Sequence, residues 1–337
     1  MRAAGVTVLP GFERTDVIGV ALGWAQLRTA VRNFLALARF LCRTPLDAVV
    51  FIDNPGMNLR LARIAKWAGH KVLYYIAPQV WAWAPVRMRL IRRRVDHVVV
   101  ILPFEEAFYR QAGVKCTFVG HPLLDEVAPA YDRDALRMRY GLKTSAPVVG
   151  LLPGSRESEV HALFPAMMKA ATQLRRSHPG AQFIMAQAPS ITDEYIAGLL
   201  AQAEVPVQTV RDQASEVMAV SDVLLVASGT ATLQAAVVGT PMVLTYRTAG
   251  LTYWLARLLV RIPWIGLANI VAGRTIVPEL IQHDATPEQM SAEVARLLSD
   301  PRAANAMRTD LRAVRDALGT PGASRRAAEV VLAECGV

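Results

Sequence analysis

The sequence predicts an α/β protein made of two Rossmann-like domains that face a common cleft. Short apolar runs alternate with helix-forming segments along almost the whole chain, which is typical of parallel sheets covered by helices. Residues 122–146 carry Pro, Asp and Gly breakers and divide this alternation into two series. The 337 residues are enough for two domains of ordinary size.

The first series, residues 1–130, is predicted to form the N-terminal domain. A helix is expected over residues 16–42, where apolar residues recur at helical spacing. Strands are then predicted at 47–52, 71–76, 95–102 and 116–119, with helices at 55–68, 85–94 and 104–111. Residues 77–83 are expected to be a loop.

The second series, residues 131–320, is predicted to form the C-terminal domain, followed by a helix over 321–337. Its apolar runs predict strands near 147–152, 181–186, 206–210, 222–227 and 241–245. The chain beyond residue 275 is predicted to be mostly helical.

Composition narrows the class of partner. A net charge of +9 suits nucleic acid, an anionic membrane or anionic substrates, but the basic residues lack the interleaved aromatics of a base-stacking surface, so no nucleic acid is predicted. Three scattered cysteines without a C-x-x-C pair indicate reduced thiols in a cytoplasmic protein. The longest uncharged run, residues 223–246, is broken by Gly and Pro, so any membrane contact should be peripheral.

Two stretches predict a nucleotide-diphosphate site. Residues 148–156 and 224–234 each run from an apolar strand into small residues before a helix, where backbone N–H groups favour an anion. The site would consist of Gly154, Ser155, Arg156, Ser228, Gly229 and Thr230. Their spacing of about seventy residues is expected to place them at two edges of one parallel sheet. Because neither G-x-G-x-x-G nor G-x-x-x-x-G-K-[ST] is present, the sequence argues against an NAD dehydrogenase and a P-loop NTPase.

Eight collinear motifs resemble a known family over nearly the whole chain. They are F-I-D-N-P-G-M-N-L-R (51–60), Y-Y-I-A-P-Q-V-W-A-W (74–83), L-P-F-E-E-A-F-Y (102–109), F-V-G-H-P-L-L-D (118–125), L-L-P-G-S-R-E-S-E-V (151–160), A-S-G-T-A-T-L-Q (227–234), G-T-P-M-V-L-T-Y-R (239–247) and N-I-V-A-G-R (269–274). Together they closely resemble lipid-A-disaccharide synthase, a bacterial glycosyltransferase family of GT-B fold. The resemblance implies that UDP-2,3-diacylglucosamine donates its sugar, with inversion, to the 6-hydroxyl of 2,3-diacylglucosamine 1-phosphate (lipid X), releasing UDP. It implies no metal or other cofactor, and a place at the cytoplasmic face of the inner membrane.

The resemblance also assigns candidate roles. Asp53 ends an apolar strand and matches the acid of the family's I-D-x-P motif, so it is the candidate general base or acceptor-orienting group, with a turn-forming cap as the alternative. Other candidates for substrate contact are Gln79, Trp81, Trp83, His121, Asn269 and Arg274. For Gln79, Trp81 and Trp83 the alternative is interdomain packing, and for His121 it is a structural role at the domain junction.

Two segments suit a lipid substrate and an anionic membrane surface. Residues 87–94 carry five arginines, Arg87, Arg89, Arg92, Arg93 and Arg94. Residues 252–264 mix aromatic and aliphatic side chains with Arg257 and Arg261, as interfacial segments do. A solvated face and a core helix are the respective alternatives.

The sequence departs from the family pattern at its start and at several acids. The family's first strand and its G-E-x-S-G-D loop have no counterpart, so the N-terminal domain is predicted to be incomplete and to leave strands unpaired. Leu22, Gly56 and Gln234 stand where the family has acids, and Ala268 replaces a usual Pro. The family's acid at position 234 holds the UDP ribose, and Gln234 is kept as a UDP-binding candidate because its neutral amide can still hydrogen-bond a ribose hydroxyl. A misassigned start, a segment supplied by another chain, and a diverged paralogue all remain open. The alternatives in function are a weak or inactive UDP- and lipid-binding paralogue and a UDP-N-acetylhexosamine epimerase-like enzyme. A homo-oligomer is also left open.

Overall fold

The computed structural model describes residues 5–9, 24–83, 86–248 and 262–336, and these residues form two parallel β-sheets flanked by helices. The N-terminal half comprises α1 (Trp24–Arg43), β1 (Ala48–Ile52), α2 (Pro55–Trp67), β2 (Lys71–Tyr75), α3 (Val80–Trp83), α4 (Val86–Arg94), β3 (His97–Val100), α5 (Pro103–Gln111) and β4 (Cys116–Phe118). Its four strands pair in chain order, β1-β2-β3-β4, and every pairing is parallel.

The second sheet has the strand order of a doubly wound domain. The chain continues through α6 (Leu123–Glu126), α7 (Arg133–Arg139), β5 (Val148–Leu152), α8 (Glu157–Ser177), β6 (Gln182–Gln187), α9 (Asp193–Leu200), β7 (Val207–Arg211), α10 (Ala214–Val220), β8 (Val223–Ala227), α11 (Thr230–Val238), β9 (Met242–Tyr246), α12 (Leu267–Ala272), β10 (Glu279–Ile281), α13 (Pro287–Ser299), α14 (Pro301–Ala317) and α15 (Ala323–Cys335). The strand order is β10-β9-β8-β5-β6-β7. Because β6 and β7 lie on one side of β5 and β8 on the other, the order reverses between β5 and β8, and this is the switch point at which such sheets bind ligands.

The nine strands expected from the alternation are confirmed, with three differences around them. The prediction that the two phosphate-binding turns lie at two edges of the sheet is wrong, because β5 and β8 are hydrogen-bonded neighbours at its centre. Their long sequence separation reflects the excursion through β6 and β7. Strand β10 forms beyond residue 275, where mostly helix was predicted, so that prediction is wrong at this strand. The short helix α3 forms within the predicted loop 77–83, and α6 and α7 form within the predicted linker.

The two sheets differ in how completely they are covered. Every residue of β5 and β8 is buried, so the second sheet is apolar on both faces at its centre. On β1, at the edge of the first sheet, Val50 and Ile52 are 39% and 51% exposed. The core of the first sheet therefore lies mainly under β2 and β3, where Tyr74 and Val98 are fully buried.

The last helix, α15, crosses back and packs on the N-terminal sheet. Its Glu334 is bonded to His97 Nδ1 at 3.0 Å and forms ion pairs with Lys71 and Lys115. Its Arg326 donates to the carbonyl oxygen of Val119 at 2.8 Å. The C-terminal end of the chain thus connects the two halves.

Candidate active site

The turns after β5 and β8 begin side by side, since Leu152 pairs with Val226 at the carboxyl ends of these strands. In the first turn, Gly154 has a φ of 126°, and a Cβ there would lie 2.6 Å from the Cβ of Glu159. The Glu159 carboxylate accepts hydrogen bonds from the N–H groups of Ser155 (3.1 Å) and Arg156 (3.3 Å) and from Arg156 Nη1 (2.6 Å). The N–H groups before the first turn of α8 therefore converge as in an anion site, and the carboxylate of Glu159, from the same helix, occupies that site.

The second turn presents backbone at the start of α11. Ser228 N–H donates to the carbonyl of Thr245 at 3.0 Å, which fixes the turn to the neighbouring strand β9. Gly229 has a φ of 152°, and a Cβ there would meet nothing within 4 Å. Gly229 and Thr230 are exposed, so a ligand can reach the backbone at this helix N-terminus.

Gln234 lies further along α11 and is half-buried. Its side-chain amide donates to Ser215 Oγ at 2.8 Å, which leaves the carbonyl oxygen as the acceptor that could face a ribose hydroxyl. The amide cannot supply the negative charge of the carboxylate that the family pattern has at this position.

The side chains of Asn269 and Arg274 are bonded to other residues of this chain. Asn269 is fully buried, with Nδ2 bonded to the carbonyl of Val277 and the carboxylate of Glu279 and Oδ1 to the N–H groups of Ile276 and Val277. Arg274 forms a bidentate ion pair with Asp310 of α14. Substrate contact by either residue stays a prediction, and the bonds of Asn269 are those of a residue that shapes a loop. Glu279 extends this network, because it also accepts the N–H groups of Ile265 and Gly266. The carbonyl of Ile265 in turn accepts Ser228 Oγ at 3.4 Å.

In the N-terminal half, Asp53 and residues 76–83 follow two neighbouring strands, since Ile52 pairs with Tyr75. Asp53 is exposed, and its carboxylate has no hydrogen bond or ion pair with any residue in the described ranges. An acid in this position at the carboxyl end of a parallel strand is open to a ligand.

The segment after β2 is anchored by buried polar groups. Trp81 donates from Nε1 to Glu105 Oε1 at 2.9 Å and lies edge-on to Phe104 at 4.9 Å between ring centroids. Glu105 is 1% exposed, and burial raises its pKa to about 7, although the bonds from Trp81 and from the N–H of Leu102 oppose the rise. Gln79 is exposed within the same segment, whereas the side chain of Trp83 lies outside the described residues.

His121 lies at the junction of the two halves, where the chain leaving the first sheet contacts the segment that leads back to it through α15. Its N–H donates to the carbonyl of Leu318, and its Nδ1 accepts the N–H of Leu123 at 3.1 Å. Because Nδ1 is an acceptor, the ring proton is on Nε2, and burial lowers the pKa of this histidine to about 4. A neutral, buried imidazole of this kind supports the structural alternative for His121.

Sequence reasoning missed the residues that support the site, namely Asn58, Tyr74, Glu105, Glu159 and Glu279. Glu105 and Glu159 had a visible local signal, because each is the third residue of its helix, where an acid can accept the N–H groups of the preceding turn. Across the described ranges, no group of three or more His, Cys, Asp or Glu side chains could hold a metal ion. The segment 252–264 was predicted to suit a lipid substrate and a membrane surface, and its residues 252–261 lie outside those ranges.

Two parallel sheets flanked by helices, the second with a switch point between β5 and β8, form the architecture of the GT-B fold. Solved structures agree in fold. The UDP-GlcNAc 2-epimerase from Neisseria meningitidis bound to UDP-GlcNAc aligns with a TM-score of 0.63 at 13% identity, covering 94% of this chain and 84% of that one. A co-structure of S. aureus MnaA with UDP aligns with a TM-score of 0.62 at 12% identity, covering 96% and 85%.

Sequence comparison then identifies the family. The family model described as lipid-A-disaccharide synthetase matches residues 1–333. The lipid-A-disaccharide synthase of Trichlorobacter lovleyi is 45% identical over 98% of this chain and 87% of its own length. That of Geobacter sulfurreducens is 44% identical over 98% and 86%. The chain belongs to the lipid-A-disaccharide synthetase family.

Proposed function

We propose that the protein transfers 2,3-diacylglucosamine from its UDP derivative to the 6-hydroxyl of lipid X, forming the β-1,6-linked lipid A disaccharide and releasing UDP. The observation that carries this proposal is the joint presence of two complementary parts. One is a diphosphate-type turn pair at the switch point of the second sheet, and the other is an open carboxylate, Asp53, at the end of β1. Membership of the family supplies the substrates.

Each part has a distinct task in one displacement. The 6-hydroxyl oxygen of lipid X attacks the anomeric carbon from the face opposite UDP, the bond to the diphosphate oxygen breaks, and the hydroxyl proton passes to Asp53. Arg156 and the N–H groups at the starts of α8 and α11 stabilise the charge that develops on the departing diphosphate. Gln79 and Trp81 contact the sugar or acyl groups beside Asp53.

A thin-layer assay with UDP-2,3-diacylglucosamine and lipid X tests this assignment. We expect disaccharide from the wild type, at least 1,000-fold less from Asp53→Asn because the base is lost, and wild-type turnover from Asp47→Asn. Asp47 is the matched control, since it is an exposed aspartate just before the opposite end of β1. Full activity in Asp53→Asn would remove that residue from the mechanism.

A UDP- and lipid-binding paralogue without transferase activity is the second candidate, and Gln234 favours it because an acid is expected there. Wild-type protein that binds UDP but yields no disaccharide would establish this alternative. A Gln234→Glu variant refines the comparison, since a carboxylate would restore a charged acceptor for the ribose. If the protein is an enzyme limited by that residue, the change lowers the KM for the donor.

The charge distribution supports an anionic membrane surface as the partner of the N-terminal half. Helices α1, α2 and α4 contain twelve Lys and Arg residues and no Asp or Glu. Helix α2 packs against both α1 and α4, so the three form a continuous basic layer. Because the whole chain carries only +9, the rest of the protein is slightly acidic and the charge is one-sided.

Apolar side chains lie within this basic layer. Along α1, an exposed stripe at helical spacing consists of Arg28, Val31, Arg32, Leu35 and Arg39, in which Val31 and Leu35 are 51% and 49% exposed. Basic residues interleaved with exposed aliphatic ones suit a helix that lies on a bilayer surface. None of the helices that the structure describes is long and apolar enough to cross a bilayer.

Co-sedimentation with vesicles tests this surface. We expect binding to phosphatidylglycerol-containing vesicles at low salt and none to pure phosphatidylcholine. Changing Arg28, Arg32 and Arg39 together to Gln should weaken binding about 100-fold, at about 1 kcal/mol per charge. The same change at Arg175, Arg176 and Arg312, which are exposed on other helices, should have little effect. Equal losses in both triple variants, or no vesicle binding by the wild type, would contradict the proposal.

A further inference from the structure

The backbone around Asp53 adopts a conformation that side chains normally disfavour. Asp53 and Asn54 follow β1 with φ values of 47° and 42°, and Ile76 follows β2 with a φ of 55°. Only two other non-glycine residues in the described ranges have positive φ, Asp212 and Gln282. Each such residue costs about 1–3 kcal/mol, so the surrounding structure must hold the turn in place.

Two side chains from inside the domain supply that support. The amide of Asn58 donates to the carbonyl of Ile52 at 3.0 Å and to the carbonyl of Asp53 at 2.8 Å. The phenol of Tyr74 donates to the same Asp53 carbonyl at 2.6 Å. Tyr74 is fully buried and Asn58 is 9% exposed, so both are held rigidly while the Asp53 side chain stays exposed.

We propose that Asn58 and Tyr74 are positioning residues that fix the direction of the Asp53 carboxylate toward the acceptor hydroxyl. The two bonds clamp the carbonyl of Asp53, and the N–H of the same residue donates to the carbonyl of Tyr75 at 3.2 Å. With both sides of the residue fixed, its Cα–Cβ direction is set by the backbone. This inference rests on the proposed role of Asp53 as the base, and small displacements of such a group lower turnover strongly.

Tyr74→Phe is the sharpest test, because it removes one hydroxyl and preserves the shape of the core. We expect kcat to fall about tenfold or more with KM within twofold, since binding groups are untouched. Asn58→Ser, which shortens the donor beyond reach of both carbonyls, should lower kcat in the same way. Tyr109→Phe is the matched control, because Tyr109 is equally buried and its hydroxyl donates to the carbonyl of Pro78 at 2.8 Å. Loss of this hydroxyl should leave kcat within twofold and raise KM, because Pro78 is next to Gln79, a proposed contact of the substrate.

A double variant separates positioning from general stability. In an Asp53→Asn background, Tyr74→Phe should reduce the residual turnover no further, whereas a purely structural loss would act equally in both backgrounds. Unchanged kcat in both Tyr74→Phe and Asn58→Ser, with Asp53→Asn inactive, would overturn this inference and leave the proposed function standing. Full activity of Asp53→Asn would instead overturn the role of Asp53 on which the inference rests.

Discussion

The two halves of the protein build their site turns by different means. In the C-terminal half, the turns after β5 and β8 place glycine at the unusual backbone positions, with φ of 126° at Gly154 and 152° at Gly229. In the N-terminal half, the positive-φ positions of the turns after β1 and β2 carry side chains, at Asp53, Asn54 and Ile76. Those turns are held by bonds from buried polar groups, whereas glycine needs no such support.

The difference follows from what each half has to present. A diphosphate is bound through backbone N–H groups, and a turn without side chains lets the ligand approach the backbone closely. A proton acceptor must itself be a side chain, so the strained residue cannot be glycine. The N-terminal half therefore depends on supporting residues, and the C-terminal half on the absence of Cβ atoms.

Gly154→Ala should have the largest effect on stability and on UDP affinity. The new methyl group would lie 2.6 Å from Glu159 Cβ and 2.7 Å from its carboxylate, at a φ that alanine avoids. We expect a loss of about 3 kcal/mol in unfolding free energy and at least 100-fold in UDP affinity, measured by urea denaturation and calorimetry. Gly229→Ala has open space and should lose about 1 kcal/mol, whereas Gly180→Ala should be neutral. Unchanged UDP affinity in Gly154→Ala would show that the backbone turn is not the binding element.

The pH dependence of the unfolding free energy tests Glu105, which anchors Trp81 in the segment after β2. Because its pKa is raised to about 7, the folded state binds the proton more tightly than the unfolded chain does. Its stabilising contribution, about 3 kcal/mol, is therefore present below about pH 4.5 and is lost as pH rises through 7. The difference in unfolding free energy between wild type and Glu105→Gln should change across this window. Glu126→Gln is the matched control variant, because Glu126 is exposed. Parallel wild-type and Glu105→Gln curves would contradict the raised pKa.

Variants of Arg156 and Glu159 test how the turn after β5 binds an anion. Arg156→Gln removes a charge-assisted contact and should weaken UDP binding about 30-fold, or about 2 kcal/mol. Glu159→Gln keeps an acceptor for the N–H groups of Ser155 and Arg156 but removes the internal negative charge, so it should tighten UDP binding. Calorimetric titration of both variants with UDP measures this. Weaker binding in Glu159→Gln would indicate that the carboxylate orients Arg156 instead of competing with the diphosphate.

The smallest effect is expected at the contact that joins the halves. Hydrogen bonds from Lys115 and His97 lower the pKa of Glu334 to about 2. The resulting stability is present above the unfolded pKa near 4.5 and is lost as pH falls toward 2. Glu334→Gln should cost about 1 kcal/mol at pH 7 and flatten this acid-side loss, with UDP affinity unchanged. A change in UDP affinity would show that α15 influences the second sheet.

The strands and the paired turns were predictable because β-rich apolar runs and glycine-containing turns leave local signals. The adjacency of β5 and β8 was not, since the pairing of strands depends on the path through β6 and β7. The support of Asp53 by Tyr74 was also hidden, because it joins residues 21 positions apart through one carbonyl. Residues 269 and 274 were predicted to contact substrate from their motif alone. Their buried bonds and ion pair depend on Glu279 and Asp310, which no local pattern connects to them.

The most direct test of the division between the halves is to measure UDP affinity and turnover together in Asp53→Asn. We expect UDP to bind within twofold of wild type, because the diphosphate contacts lie on the second sheet, while disaccharide formation falls at least 1,000-fold. Loss of UDP binding in this variant would show that Asp53 belongs to the nucleotide site. Wild-type turnover would show that the proton is accepted elsewhere.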